Sequence, residues 1–100
     1  MTSNYTNLAE FLGAYFHQDW TSDADSSMEV AQIYLSEWPR QESNLAMREI
    51  ACLLNDRSEE EIARIIEGMG CYFVPASEGY ASTTDWLRSV EALMRQTLAV

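Results

Sequence analysis

The chain of 100 residues has no lysine, one histidine, two cysteines, two prolines and four glycines. Each scarcity removes a class of reading. All six basic residues are arginine against sixteen carboxylates, a formal charge of −10. That balance argues against nucleic acid or anionic membrane as a ligand, because both are held by cationic side chains that displace counterions. A basic partner would be attracted, although solubility alone is a plainer reason for the same charge. Cys52 and Cys71 form neither a C-x-x-C pair nor a paired metal-ligand spacing and read as buried, reduced thiols. No apolar run approaches the length of a membrane span, no basic region precedes an apolar stretch and no lipidation signal is visible, so the expected location is the cytoplasm. So few Pro and Gly leave little room for linkers, and residues 1–100 read as one domain.

What the chain does have is apolar material. Hydrophobic residues make up 47% of it, including three Trp, five Tyr and three Phe, which places it among globular chains with a sizeable core. The apolar positions follow helical spacing. Leu8, Phe11, Leu12, Tyr15 and Phe16 predict a first helix from about Tyr5 or Asn7 to Phe16. The polar run Thr21 to Ser27 breaks it, after which Ser26 or Ser27 caps a second helix carrying Ala31, Tyr34, Leu35 and Trp38 and ended by Pro39. A third helix is expected over roughly Glu42 to Asn55, with Met47, Ile50, Ala51 and Leu54 on its inner face and Ala46 and Leu53 beside them. Ser58 and Glu61 form a capping box that opens a fourth helix with Ile62, Ile65, Ile66 and Met69, stopped by Gly68 and Gly70. "CYFVP", residues 71–75, is β-prone but short, and reads as an extended link or edge strand before a surface loop. Thr83 or Thr84 then caps a last helix whose apolar face is Trp86, Leu87, Val90, Leu93, Met94 and Leu98. The expected fold is all-α: a single compact bundle of about five helices with short loops.

Candidate chemistry concentrates in residues 13–29, where "GAYFHQDW" precedes "TSDADSSMEV". His17, Asp19, Asp23 and Asp25 offer metal donors, but neither register supplies the Gly and Glu that a calcium loop needs, and one His with two separated Cys does not serve zinc. His17 and Asp19 are also poorly placed as an acid/base pair, since residues two apart do not face each other on a helix. No Gly-rich phosphate loop or serine elbow is present. Catalytic, cofactor and metal sites are therefore not assigned, and His17 reads as a structural residue or helix C-cap. The stripe Phe11, Tyr15, Phe16 reads as core. Trp20 either folds back onto that core or stands out as a binding anchor, Trp being frequent in interface hot spots. Glu59, Glu60 and Glu61 oppose the macrodipole of a helix start and need no partner. Asp19, Asp23, Asp25 and Glu29 are harder to explain that way, because no arginine lies between Met1 and Trp38 to balance them.

"LGAYFHQDW" at 12–20, with "GCYFVP" at 70–75 and "DWL" at 85–87, resembles the CdiI-type immunity proteins of bacterial contact-dependent growth inhibition. The resemblance spans most of the chain and implies a cytoplasmic antidote, not an enzyme. It would bind the C-terminal toxin domain delivered by a neighbouring cell and block its active site. Toxins of such systems are often nucleases acting on RNA, including ribonuclease A-like types, and a nuclease must be basic where it meets its substrate. An acidic inhibitor suits that surface through steering and charge-assisted hydrogen bonds. The expected toxin-binding residues are Asp19, Trp20, Asp23, Asp25 and Glu29 in a one-to-one complex. Of these, Asp19 is equally open to a role within the fold, together with Tyr15, Phe16, His17 and Gln18. An acidic adaptor or nucleic-acid mimic acting on another basic protein shares the electrostatics and is the alternative.

Overall fold

The computed structural model describes residues 5–22 and 24–99. Local signals set most element boundaries. α1 spans Thr6–Tyr15, α2 Ser27–Glu37, α3 Arg40–Asp56, α4 Glu59–Gly68 and α5 Thr83–Leu98; short 3-10 turns lie at Trp20–Ser22 and Pro75–Glu78. Ser26 caps α2 by accepting from the Glu29 amide. Ser58 and Glu61 make the reciprocal capping box of α4, which satisfies two otherwise orphaned donors. Pro39 ends α2 and serves as N-cap of α3, because it lacks the amide that a continuing helix would use. Gly70, at φ 88°, turns the chain out of α4 in a conformation that side chains with a Cβ rarely adopt.

Three expectations are corrected. α5 is capped by Ser82, whose side chain accepts from the Asp85 amide, and Thr83 and Thr84 lie inside the helix. The inner face of α3 is Ser43, Ala46, Ile50 and Leu53, with Met47 and Leu54 only partly covered, so the helix is rotated from the face that periodicity favoured. Cys52 is exposed, whereas Cys71 is buried as expected. "CYFV" forms no strand; it runs extended, with Cys71 and Phe73 buried and Tyr72 and Val74 exposed.

The helices enclose one core. α5 packs on α3, α2 and α4, and α1 packs on α3 and α2. The resulting body measures 32 × 30 × 24 Å. Trp86, Leu87, Val90 and Met94 of α5 are fully buried, along with Phe11 and Phe16 from the end of α1 and Ile50 and Leu53 of α3. Burial of this apolar surface is the main favourable contribution to folding.

Long-range carboxylates tie helix starts to distant elements. Glu49 of α3 accepts from the Leu8 amide and the Asn7 side chain at the start of α1. Glu78 accepts from the Ser27 amide and hydroxyl at the start of α2. Glu59 accepts from the amides of Thr83 and Thr84 and the Thr84 hydroxyl at the start of α5. In each case a negative group meets free N–H donors at the positive end of a helix.

Candidate functional site

Segments 12–20, 70–75 and 85–87, distant in sequence, meet in space. Gly13 lies against the end of α4 so closely that a Cβ there would stand 2.7 Å from the Met69 carbonyl oxygen. The Phe16 carbonyl accepts from the Tyr72 amide at 2.7 Å. Phe16 touches the rings of Trp20, Phe73 and Trp86, with centroids 5.6, 5.6 and 5.3 Å apart, and Phe73 touches Trp86 at 4.7 Å. The Trp86 indole N–H donates to the Ser27 hydroxyl, which itself donates to Glu78. On the other side, the Tyr15 hydroxyl donates to Glu37 and accepts from Trp38, so that the end of α1 is held to the end of α2. Burial and the Glu37 carboxylate raise the Tyr15 phenol above its ordinary range. These side chains build the scaffold from which the surface loop projects.

His17 follows directly on this scaffold. Its Nδ1 accepts from the Asp19 amide at 3.1 Å, and its carbonyl accepts from the Trp20 amide, which winds residues 17–22 into a tight turn. A ring nitrogen used as an acceptor in this way is not available to draw a proton from a substrate. Trp20 is half-buried: one edge packs on Phe16 and Phe73, the latter at 5.5 Å, and the rest is open. Trp20 thus folds back onto the core in part and leaves an accessible edge.

Many of the acidic residues are engaged within the fold, and others, Glu10, Glu60, Glu67 and Asp85 among them, are exposed without a carboxylate partner among the described residues. Glu37, Glu49, Glu59, Glu61, Glu78 and Glu91 hold hydrogen bonds or ion pairs. Asp19, Asp25 and Glu29 are exposed, and among the described residues no hydrogen-bond donor or cation reaches their carboxylates. Asp19 sits in the turn after α1, Asp25 precedes the Ser26 cap, and Glu29 lies in the first turn of α2. Asp23 lies outside the described residues. Glu78, bonded to Ser27, brings the second 3-10 turn up to the same loop.

One part of this surface escaped the sequence reading. Tyr72 and Val74 are each 61% exposed and stand beside a groove of about 510 Å³ between the extended segment and α4. The alternation of Cys71, Tyr72, Phe73 and Val74 was the available signal, since a period of two marks one face in and one face out.

Chemically reactive groups are not gathered here. The Cys71 thiol, beneath the groove, is pushed up to about 11 by burial, away from the thiolate that nucleophilic chemistry needs. Among the described residues no group of three or more His, Cys, Asp or Glu side chains is placed to hold a metal ion. No helix among them is long and apolar enough to cross a membrane.

The structure thus defines a small all-α domain with a turn at residues 17–22 anchored on aromatics and exposed carboxylates at Asp19, Asp25 and Glu29. The model of the CdiI immunity protein family matches residues 4–94, and the chain belongs to that family, whose members serve contact-dependent growth inhibition by neutralising a cognate toxin. No similar curated protein and no similar solved structure was found.

Proposed function

We propose that this immunity protein acts in the cytoplasm by binding a nuclease toxin domain, specifically an RNase, one to one over its catalytic cleft, and that it performs no chemistry itself. The observation that carries this reading is the exposure of Asp19, Asp25 and Glu29, without carboxylate partners among the described residues, on the same stretch of chain as the half-buried Trp20. Carboxylates already engaged within the fold would have to give up those partners to meet another protein. These three need not. They lie where arginine and lysine of a nuclease, positioned for phosphate, can pair with them, and Asp23 belongs to the same stretch of chain. Trp20 supplies the apolar centre that charged rims surround in specific interfaces.

Charge reversal tests the reading. Asp25→Arg with Glu29→Arg should weaken association with the toxin domain encoded beside this chain by about tenfold or more at low salt, mainly through a slower on-rate. A charge-matched control, Glu10→Arg with Glu42→Arg, should bind nearly as the wild type. Equal binding by all three proteins in stopped-flow or surface kinetics would remove residues 19–29 from the interface.

A further inference from the structure

We propose that the exposed edge Tyr72–Val74 is the apolar anchor of the toxin interface, receiving an extended basic segment of the toxin domain along the groove beside α4. This rests on the toxin-binding reading above and adds a second, separate patch to it.

Three observations carry the inference. First, among the described residues the two most exposed large apolar side chains, Tyr72 and Val74 at 61% each, occur on one four-residue segment, whereas their neighbours Cys71 and Phe73 are buried. The segment is also held from behind: the Tyr72 amide donates to Phe16, and Ser77 donates to the Val74 carbonyl through both its amide and its hydroxyl. An apolar edge kept rigid at this exposure is organised before any partner arrives, which lowers the ordering cost of association. Second, the backbone is open between the two bonded groups, the Tyr72 amide and the Val74 carbonyl. Among the described residues no donor reaches the Tyr72 carbonyl and no acceptor reaches the Val74 amide, so an extended partner segment can bond to the main chain there.

Third, charge selects the occupant. The groove is lined by Glu67, with an unpaired carboxylate, and by no arginine. A second copy of this chain would bring another formal charge of −10 to the same place. A basic segment meets attraction where a second copy meets repulsion. The Tyr72 amide is bonded to the Phe16 carbonyl, so the edge starts beside the chain that leads from α1 into the turn of Asp19.

The test measures kinetics of the full chain against the toxin domain encoded beside it, released from the coexpressed complex by denaturant and refolded. Tyr72→Ala with Val74→Ser should weaken binding by about 100-fold, chiefly through faster dissociation, as loss of a central anchor does. Both side chains point outward, so the melting temperature should stay within about 2 °C of the wild type, the range expected of surface substitutions. Tyr72→Phe should retain most of the affinity, and Leu45→Ala, at an exposed apolar position on α3, all of it. Wild-type kinetics in the double variant, alongside weakened binding by the Asp25 and Glu29 reversals, would overturn the anchor and leave the acidic surface standing. A wild-type chain that fails to bind the toxin domain would overturn both. Concentration-dependent dimers abolished by the double variant would assign the edge to self-association and overturn its assignment to the toxin.

Discussion

A single hydrogen atom at Gly13 permits the close contact between α1 and the end of α4. Gly13→Ala places a Cβ 2.7 Å from a backbone oxygen, and since neither helix end can yield by rotating a side chain, the expected cost is about 1–3 kcal/mol. Gly68→Ala is the matched contrast, because nothing lies within 4 Å of its Cβ and alanine is the better helix former by up to about 1 kcal/mol. Thermal melts followed by circular dichroism should lower the midpoint for the first and leave or raise it for the second. The two thiols should separate as clearly. At neutral pH Cys52 should react quickly with a thiol reagent and Cys71 only as the protein opens, because burial raises the Cys71 thiol and hides it. The buried Tyr34 phenol is likewise driven up to about 12, chiefly by desolvation. Both groups are more easily ionised unfolded than folded. Their contribution to stability is therefore complete below the ordinary values of 9.0 and 10.0 and lost as pH rises towards about 11 and 12. Denaturant midpoints measured from neutral pH upwards should begin to fall above pH 9.0.

At the scale of elements, helix starts are where much of the acidity is used. Glu49, Glu59 and Glu78 reach across the fold to the first turns of α1, α5 and α2, so these helices are capped by residues far away in sequence. Burial opposes ionisation of Glu59, but the hydrogen bonds from Thr84 and Thr83 together prevail and hold its carboxyl below the ordinary value of 4.5. Glu61 is lowered as well, first by the Ser58 amide it accepts from. A lowered carboxylate stabilises the fold above its unfolded value, and this contribution disappears as pH falls below 4.5 through the folded value. Glu59→Gln should reduce stability by about 1 kcal/mol at neutral pH, as loss of a helix cap does, and should flatten the decline on acidification. A variant as stable as the wild type in urea at neutral pH, with an unchanged acid limb, would show that the Thr83 and Thr84 amides find water equally well.

For the molecule as a whole, the formal charge of −10 pulls in two directions. It repels itself within the compact state, and it attracts a basic partner from a distance. Raising ionic strength from about 0.01 to 1 M shortens the screening length from roughly 30 to 3 Å, which should raise the thermal midpoint of the free protein while slowing toxin association. Opposite responses of stability and on-rate to the same salt series are the expected outcome, measured by melts and by stopped-flow fluorescence. An on-rate indifferent to salt would mean that steering plays no part in recognition.

Much of this protein was legible in its residues. Period-3.6 apolar stripes, the Ser58–Glu61 box and Pro39 mark five helices because these signals act over a few neighbouring residues. The aromatic run Phe11, Tyr15, Phe16 similarly announced a core, and the unbalanced acids Asp19, Asp25 and Glu29 are in fact exposed, with no carboxylate partner among the described residues. Local sequence was weaker where two faces of a helix were both apolar enough to bury, as on α3, and at the start of α5, where Ser82, Thr83 and Thr84 are each able to cap. Only the tertiary structure decided which carboxylates are taken by distant amides and which remain open, because that depends on residues tens of positions apart arriving at one helix end. The same holds for Trp20, half inside and half out, and for Tyr72 and Val74. Short β-prone runs occur in cores and on surfaces alike, and this one faces outward because α1 and α5 already fill the space behind Phe73 with Phe16 and Trp86.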